Sequence, residues 1–397
     1  MSTYKNLYGK QFGSNSSLKF MNCRLWGKEF GSIFVRNGII VDSPLNEDVF
    51  EIDCDGLVIS PGFIDVQTNG GFGIDFSTYK SDHKYIANLG TFQKKILSHG
   101  VTSFLPTVIT SSQETYHKVL PLLESKSCDY ASIVGVHAEG PFISKKKKGC
   151  HPVEFIRDFE PNVGECIGKL YGSGLQNVKM VTLAPELEFA QDAVRWFTSH
   201  GIIVSIGHSD SSSYIAKEAV KSGASCITHL YNAMRTFHHR ETGIIDLLVA
   251  EECSENVFFG LISDGVHCDE ASVRMAYRAN PNGIMLVTDS MEAMGMPDGI
   301  YKIGDQIVNK NGYEAKLDNG TLAGSVADLP HCIRTFKMFT GCSLETALKA
   351  ATEVPARVMN LKTKGLLNPG HDADFVLLDD DVNVKAVFIA GRLVFMQ

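Results

Sequence analysis

From residue 61 to about residue 290 the chain repeats one pattern eight times: a short apolar run that stops at a polar or charged residue. The runs are PGFIDVQ, TSFLPTV, SIVGVHAE, VKMVTLAPE, IIVSIGHS, SCITHL, VFFGLISD and GIMLVTDS. Most are followed by a stretch with helical periodicity, such as DHKYIANLGTFQKKILSHG and LEFAQDAVRWFTSHG. Apolar strands alternating with helices build a parallel sheet covered on both faces. Eight such units predict an α/β fold closed as a (β/α)8 TIM-like barrel, whose catalytic groups stand at the C-terminal strand ends. The segments LPHCIRTFKMF and SLETALKAATEVPARVMN read as trailing helices.

The two chain ends have a different texture. SLKFMNCRLW, GSIFVRNGIIV and VFEIDCDGLVIS near the start, with ADFVLLDD and VKAVFIAGRLVFMQ at the finish, read as short antiparallel strands, the last a hairpin about Ala390-Gly391. Neither end alone has enough strands to bury a core. The expectation is therefore one small β-sandwich domain from residues 18–60 and 364–397, a barrel over 61–363, and a polar, loosely held arm over 1–17.

Composition narrows the classes of function. With 44% hydrophobic and 21% charged residues the chain is an ordinary globular protein. No apolar run approaches the ~20 residues of a membrane helix, and the opening residues lack a signal-peptide core. A net charge of −8 gives no reason to expect nucleic acid. The ten cysteines show no C-x-x-C spacing and scatter singly through apolar stretches. They read as free thiols in a reducing, cytoplasmic compartment.

The strand ends present Asp65, Gln67 and Asn69 after the first run, His137 and Glu139 at the third, and His208 at the fifth. His229 follows at the sixth, Asp264 and His267 after the seventh, and Asp289 at the eighth. Any one histidine has a packing explanation, but a ring of strands aims these ends at one spot. Glu139, His208 and His229 make a three-ligand set that leaves one position open for water, as in catalytic zinc sites. Such an ion lowers the pKa of water toward ~7. Asp289 is then placed to accept the water's proton and pass it to a leaving nitrogen. Zinc suits these ligands, as do iron, cobalt and manganese.

The strings PGFIDVQTNG, HAEGPFISKKKKGCHP, IGHSD, THLYNAM, SDGVHCD, VTDS and LAGS occur in order and at barrel spacing. Together they resemble the N-acetylglucosamine-6-phosphate deacetylase family of the amidohydrolase superfamily, over nearly the whole chain. The resemblance implies hydrolysis of the acetamide of a phosphorylated amino sugar, with Glu139, His208 and His229 as metal ligands and Asp289 as the proton carrier. It further implies sugar-phosphate contacts at Asn232, Ala233, Asp264, Gly265, Val266 and His267, and an acetyl pocket at Cys150 and His151, with His151 polarising the carbonyl. Leu322, Ala323 and Gly324 match a segment that borders the ligand. Arg240, eleven residues past His229, offers a guanidinium fork that suits phosphate. In relatives this arginine enters the neighbouring subunit's site, which implies a homodimer. Lys147, in the four-lysine run, is a candidate second cation, against the plainer reading of that run as a solvated loop.

Many amidohydrolases carry H-x-H on the first strand to bind a second metal. Here the positions hold Gln67 and Asn69, poor ligands for a transition metal. One divalent ion per subunit is the expectation. The fourth run ends in TLAPE, with Glu186 where enzymes acting on cyclic amides place a lysine. That counts against cyclic substrates. Two alternatives stay open: a deacylase for another N-acyl compound, which would not need the Arg240 clamp, and a non-catalytic scaffold, which would not need the retained ligands and Asp289.

Overall fold

The computed structural model describes residues 2–7, 17–27, 29–43, 49–125, 129–253, 256–303 and 306–397. Its centre is a ring of eight parallel strands: Phe63–Thr68, Val101–Ile109, Val136–Glu139, Val178–Leu183, Ile203–Ile206, Cys226–Ile227, Phe258–Leu261 and Ile284–Leu286. Each falls on one of the eight apolar runs. Strand pairing runs unbroken from the first to the eighth. Beyond the eighth strand the ring is completed by backbone bonds from Asp289 N to Gln67 O (2.9 Å) and from Asn69 N to Ser290 O (2.8 Å). The TIM-like barrel is as expected.

Helices cover the outside for local reasons. Asp82–Lys95 starts at Ser81, whose side chain accepts from the Lys84 amide, and buries Tyr85, Leu89 and Phe92 at helical spacing. Ala190–Ser199 and Ser213–Lys221 likewise turn Ala193, Val194, Phe197, Ala216 and Ala219 toward the strands. Leu329–Thr340, Leu344–Lys349 and Glu353–Val358 are the trailing helices. Among the described residues no helix is long and apolar enough to cross a membrane, and the described cysteines are free thiols.

Both chain ends share one nine-stranded sheet, joined where Val58–Pro61 pairs antiparallel with Phe375–Leu378. Alternation along Phe375–Leu378 explains why it forms. Phe375 and Leu377 face a core of their own, where Phe20 meets Phe375 and Phe388 edge-on at 4.7 and 5.0 Å. Val376 and Leu378 face the barrel's core. The hairpin at Ala390-Gly391 is present, both residues having positive φ (50° and 72°), as a tight two-residue turn requires.

Three expectations need amending. Ser17–Leu25 pairs parallel with Val49–Asp53 and Val58–Pro61, because the following strand Phe30–Arg36 occupies its other edge and the chain crosses over to reach the free one. Alternation reports burial but not strand direction. Within the expected arm, Ser2–Thr3 pairs with Val49–Asp53, and Tyr4 and Leu7 are buried in the end core; residues 8–16 lie outside the described residues. A three-stranded sheet, Gly299–Ile303, Gln306–Asn311 and Glu314–Leu317, stands between the eighth strand and the LAGS segment and was not anticipated.

Candidate active site

The strand register delivers the site. Glu139 ends the third strand beside Ile109 and Thr182, and His208, His229 and Asp289 follow the fifth, sixth and eighth strands within two residues or three. Glu139 Oε1 lies 2.9 Å from His208 Nε2 and 3.0 Å from His229 Nε2, and the two ring nitrogens are 3.0 Å apart. All three residues are buried. Ligands of a tetrahedral zinc stand about 3.3 Å from one another, so the spacing is close to that of a metal site.

Tautomers sharpen this fit. The Lys147 carbonyl, 2.8 Å from His208 Nδ1, can only accept, so Nδ1 carries the proton and the Nε2 lone pair of the neutral ring faces the Glu139 carboxylate. Two lone pairs at that distance need a proton or a cation between them. Burial alone would raise the Glu139 carboxyl, yet positive charge shared with the His208 and His229 rings holds it well below the usual carboxylate range. The group therefore stays ionised and fits a divalent ion. His208, His229 and Asp289 have φ of 47°, 28° and 48°, a left-handed conformation that costs about 1–3 kcal/mol per residue and clusters at functional sites.

Asp289 faces the ligand set from the eighth strand. Its Oδ1 accepts from Asn69 Nδ2 (2.7 Å) and Gln67 Nε2 (3.3 Å), and the same Gln67 nitrogen donates to Glu139 Oε2 (3.1 Å). Both amides thus act as donors, Gln67 bridging the two carboxylates and Asn69 serving Asp289 alone. Burial first and the Glu139 charge second push Asp289 up to about 6, against the pull of His229 and His267. A carboxyl near that value takes and returns a proton readily at neutral pH.

A cavity of about 220 Å³ opens above these groups, lined by Asn69, Ile109, Cys150 and His151, by Asn232, Ala233 and His267, and by Ile303, Thr321, Leu322 and Gly324. His151 is buried, and burial drops its pKa well below the usual imidazole value. Its Nδ1 takes the Thr110 amide (3.4 Å) and stands 2.8 Å from the Thr110 hydroxyl, so the neutral ring bears its proton on Nε2. That places a neutral donor 3.9 Å from Glu139 Oε1. Gly324 has a φ of 76°, and a Cβ there would stand 3.0 Å from the Asp289 carbonyl; the LAGS segment approaches Asp289 this closely only because it has a glycine.

Other sequence candidates fall elsewhere. Of the SDGVH residues only His267 reaches the cavity; Asp264 accepts from the Val266 and His267 amides and from His267 Nδ1 (2.7 Å), fixing that ring, and Gly265 and Val266 lie outside the lining. Ala323 is buried between the lining residues Leu322 and Gly324. Lys147 contributes its carbonyl to His208 and is not a lining residue. Arg240 is exposed and outside this chain's cavity. His137 bonds the Thr182 hydroxyl (2.7 Å) and is pushed down to about 4 by burial, and Asp65 accepts from Thr288 (2.6 Å). Neither joins the ligand set. Thr110 was missed, although a polar residue closing the second apolar run was the available signal. Gln306, whose side chain donates to the Cys150 carbonyl, belongs to the unanticipated sheet.

A model of the amidohydrolase family matches residues 58–394. An N-acetylglucosamine-6-phosphate deacetylase of Caenorhabditis elegans is 49% identical over 96% of this chain and 96% of its own, and that of Homo sapiens 44% identical over 95% of each. Among solved structures, a mutant N-acetyl-D-glucosamine-6-phosphate deacetylase of Mycobacterium smegmatis in complex with N-acetyl-D-glucosamine-6-phosphate is similar. It has a TM-score of 0.84 at 29% identity, over 97% of this chain and 100% of that one. The chain belongs to the amidohydrolase family and, within it, to the N-acetylglucosamine-6-phosphate deacetylases, hydrolases of a linear amide.

Proposed function

We propose that this chain hydrolyses the acetamide of N-acetyl-D-glucosamine 6-phosphate to D-glucosamine 6-phosphate and acetate, in amino-sugar breakdown or recycling. The observation that carries the reading is the convergence of Glu139, His208 and His229 on one point, with Asp289 facing them. These residues would hold one divalent ion, for which zinc is one suitable choice, and the ion would supply Lewis-acid activation of water and of the amide carbonyl. A single ion is supported by Gln67 and Asn69, whose amide groups donate to Asp289 and Glu139 where a second cation would need lone pairs.

Asp289 takes a proton from the attacking water as its oxygen bonds to the carbonyl carbon. The same carboxyl returns that proton to the sugar nitrogen as the carbon–nitrogen bond breaks, leaving acetate and the free amine. His151 donates from Nε2 to the carbonyl oxygen as negative charge grows there. Cys150 and Ile109 bound the acetyl group, while Asn232, Ala233 and His267, with Leu322 and Gly324, enclose the sugar.

No lysine or arginine lines this cavity among the described residues, so a phosphate seated at its mouth needs a cation from elsewhere. Arg240 of a second copy supplies it in this reading, which makes the assembly a homodimer; Lys147 is the weaker candidate because a single ammonium lacks the guanidinium fork that matches phosphate oxygens. A division into an end-built β-sandwich (residues 18–60 and 364–397) and a barrel (61–363) is supported by the core that the end strands build among themselves, while Val376 and Leu378 pack on the barrel. Free thiols accord with a cytoplasmic location. The test is to incubate metal-replete protein with N-acetylglucosamine 6-phosphate and assay acetate. Release from the phosphorylated sugar, and far less from N-acetylglucosamine, is expected; equal rates contradict the phosphate clamp, and no acetate from either contradicts the reaction.

A further inference from the structure

The metal ligand His208 is held in a strained backbone conformation, with φ 47°, at the head of a loop. Beside backbone bonds to Ala233 and Arg235, the loop is held by a carboxylate from the turn three residues past the neighbouring fourth strand. Glu186 Oε2 accepts from the Ser209 hydroxyl (2.6 Å), and Oε1 accepts from the Asp210 amide (2.6 Å). Both are short, charge-assisted bonds to the two residues that follow His208. Ser209 Oγ in turn accepts from the Ser211 amide (3.0 Å), so the carboxylate fixes three consecutive residues.

The same loop is tied to the turn that orients the His208 ring. Lys147 O takes the Nδ1 proton, and the Ser144 amide donates to the His208 carbonyl (2.9 Å). Asp210 reaches Lys146 of that turn at 3.6 Å and Arg235 of the following loop at 3.5 Å. Glu186 lies outside the active-site cavity and lines a separate surface cleft with Asp210 and Arg235, so it touches no reacting atom.

From this geometry we infer that Glu186 is a positioning residue of the metal centre: by clamping Ser209 and Asp210 it holds His208 in the one backbone conformation that aims Nε2 at Glu139 and His229. The inference rests on the metal-centre reading above. Glu186 would then set metal affinity while contributing modestly to the fold, since supports of this kind change affinity by about 10–100-fold.

The experiment titrates metal-stripped wild type, Glu186→Ala and Glu186→Gln with cobalt(II), reading the dissociation constant and the visible ligand-field spectrum, beside the melting midpoint of each metal-free protein. Glutamine can still accept from the Asp210 amide and donate to Ser209, so it is the rescue variant. Expected are about 10–100-fold weaker cobalt binding and an altered spectrum in Glu186→Ala, recovery of most of the affinity in Glu186→Gln, and metal-free melting midpoints near wild type. Equal affinity in wild type and Glu186→Ala overturns the inference, as does an affinity loss that only tracks a fallen midpoint. Should Glu186→Ala fail to fold, Ser209→Ala serves instead; undiminished cobalt affinity there also overturns it. Wild type that binds no cobalt overturns the metal-centre reading itself, a result distinct from the others.

Discussion

The two ends of the site are built differently. At the reacting end, Glu139, His208, His229 and Asp289 are anchored at or just beyond barrel strands and buried; Gln67 and Asn69 donate to the two carboxylates, and the Lys147 carbonyl accepts from His208. At the phosphate end the strongest candidate, Arg240, is exposed on a loop, and its own amide donates to His238 Nδ1 within that loop. A rigid, desolvated frame suits chemistry that depends on sub-ångström placement. Recognition of a doubly charged phosphate tolerates a looser, salt-sensitive contact that a second subunit can provide. One end is complete within a chain; in the proposed reading the other borrows Arg240 from a second copy.

Replacing Asp289 by Asn should break the reacting end while sparing the other. Turnover should fall by about 10²–10⁴-fold, as expected for loss of a general acid–base group, with cobalt and product binding nearly intact. Single-turnover acetate release measures it. The next effect in size belongs to Arg240→Ala, which should raise KM for the phosphorylated sugar by about 10–100-fold, the worth of a charge-assisted hydrogen bond, and leave metal affinity alone. Mixing Arg240→Ala and Asp289→Asn proteins sharpens the comparison. If Arg240 acts across subunits, mixed dimers carry one intact site and efficient hydrolysis at low substrate returns; no recovery places Arg240 in its own site.

These two regions were also unequally legible. Eight apolar runs ending in polar residues were enough to place Glu139, His208, His229 and Asp289 together, because a closed ring of strands leaves those ends nowhere else to point. Arg240 and His151 lie in loops, where periodicity carries no information, and only the resemblance singled them out. Asp264 was recognised as a site residue but not as the group that orients His267. The small sheet of Gly299–Ile303, Gln306–Asn311 and Glu314–Leu317 carries alternation and an Asn311-Gly312 turn pair, but it is an insertion between strand end and LAGS that the barrel period does not call for. Parallel pairing of Ser17–Leu25 was beyond reach, because side-chain alternation is the same for either direction.

Two smaller effects concern the frame around the metal. Asp289 must be ionised to accept a proton, and burial with the Glu139 charge sets it at about 6 without metal. A cation opposite favours the ionised form and lowers that value. The acid limb of kcat/KM should therefore lie at or below about 6; a limb clearly above it contradicts the assignment. Thr110→Val removes the hydroxyl beside His151 Nδ1 but keeps the amide. One neutral hydrogen bond is worth about 1 kcal/mol, so kcat should drop about fivefold with KM unchanged.

The most direct test is anomalous diffraction from crystals of the metal-loaded protein, collected at the absorption edge of the bound metal. The account predicts one strong peak per chain, about 2.0–2.2 Å from Glu139, His208 Nε2 and His229 Nε2, with the Gln67 and Asn69 amides outside bonding range. A peak elsewhere, or a second of equal strength between Gln67 and Asp289, would contradict it.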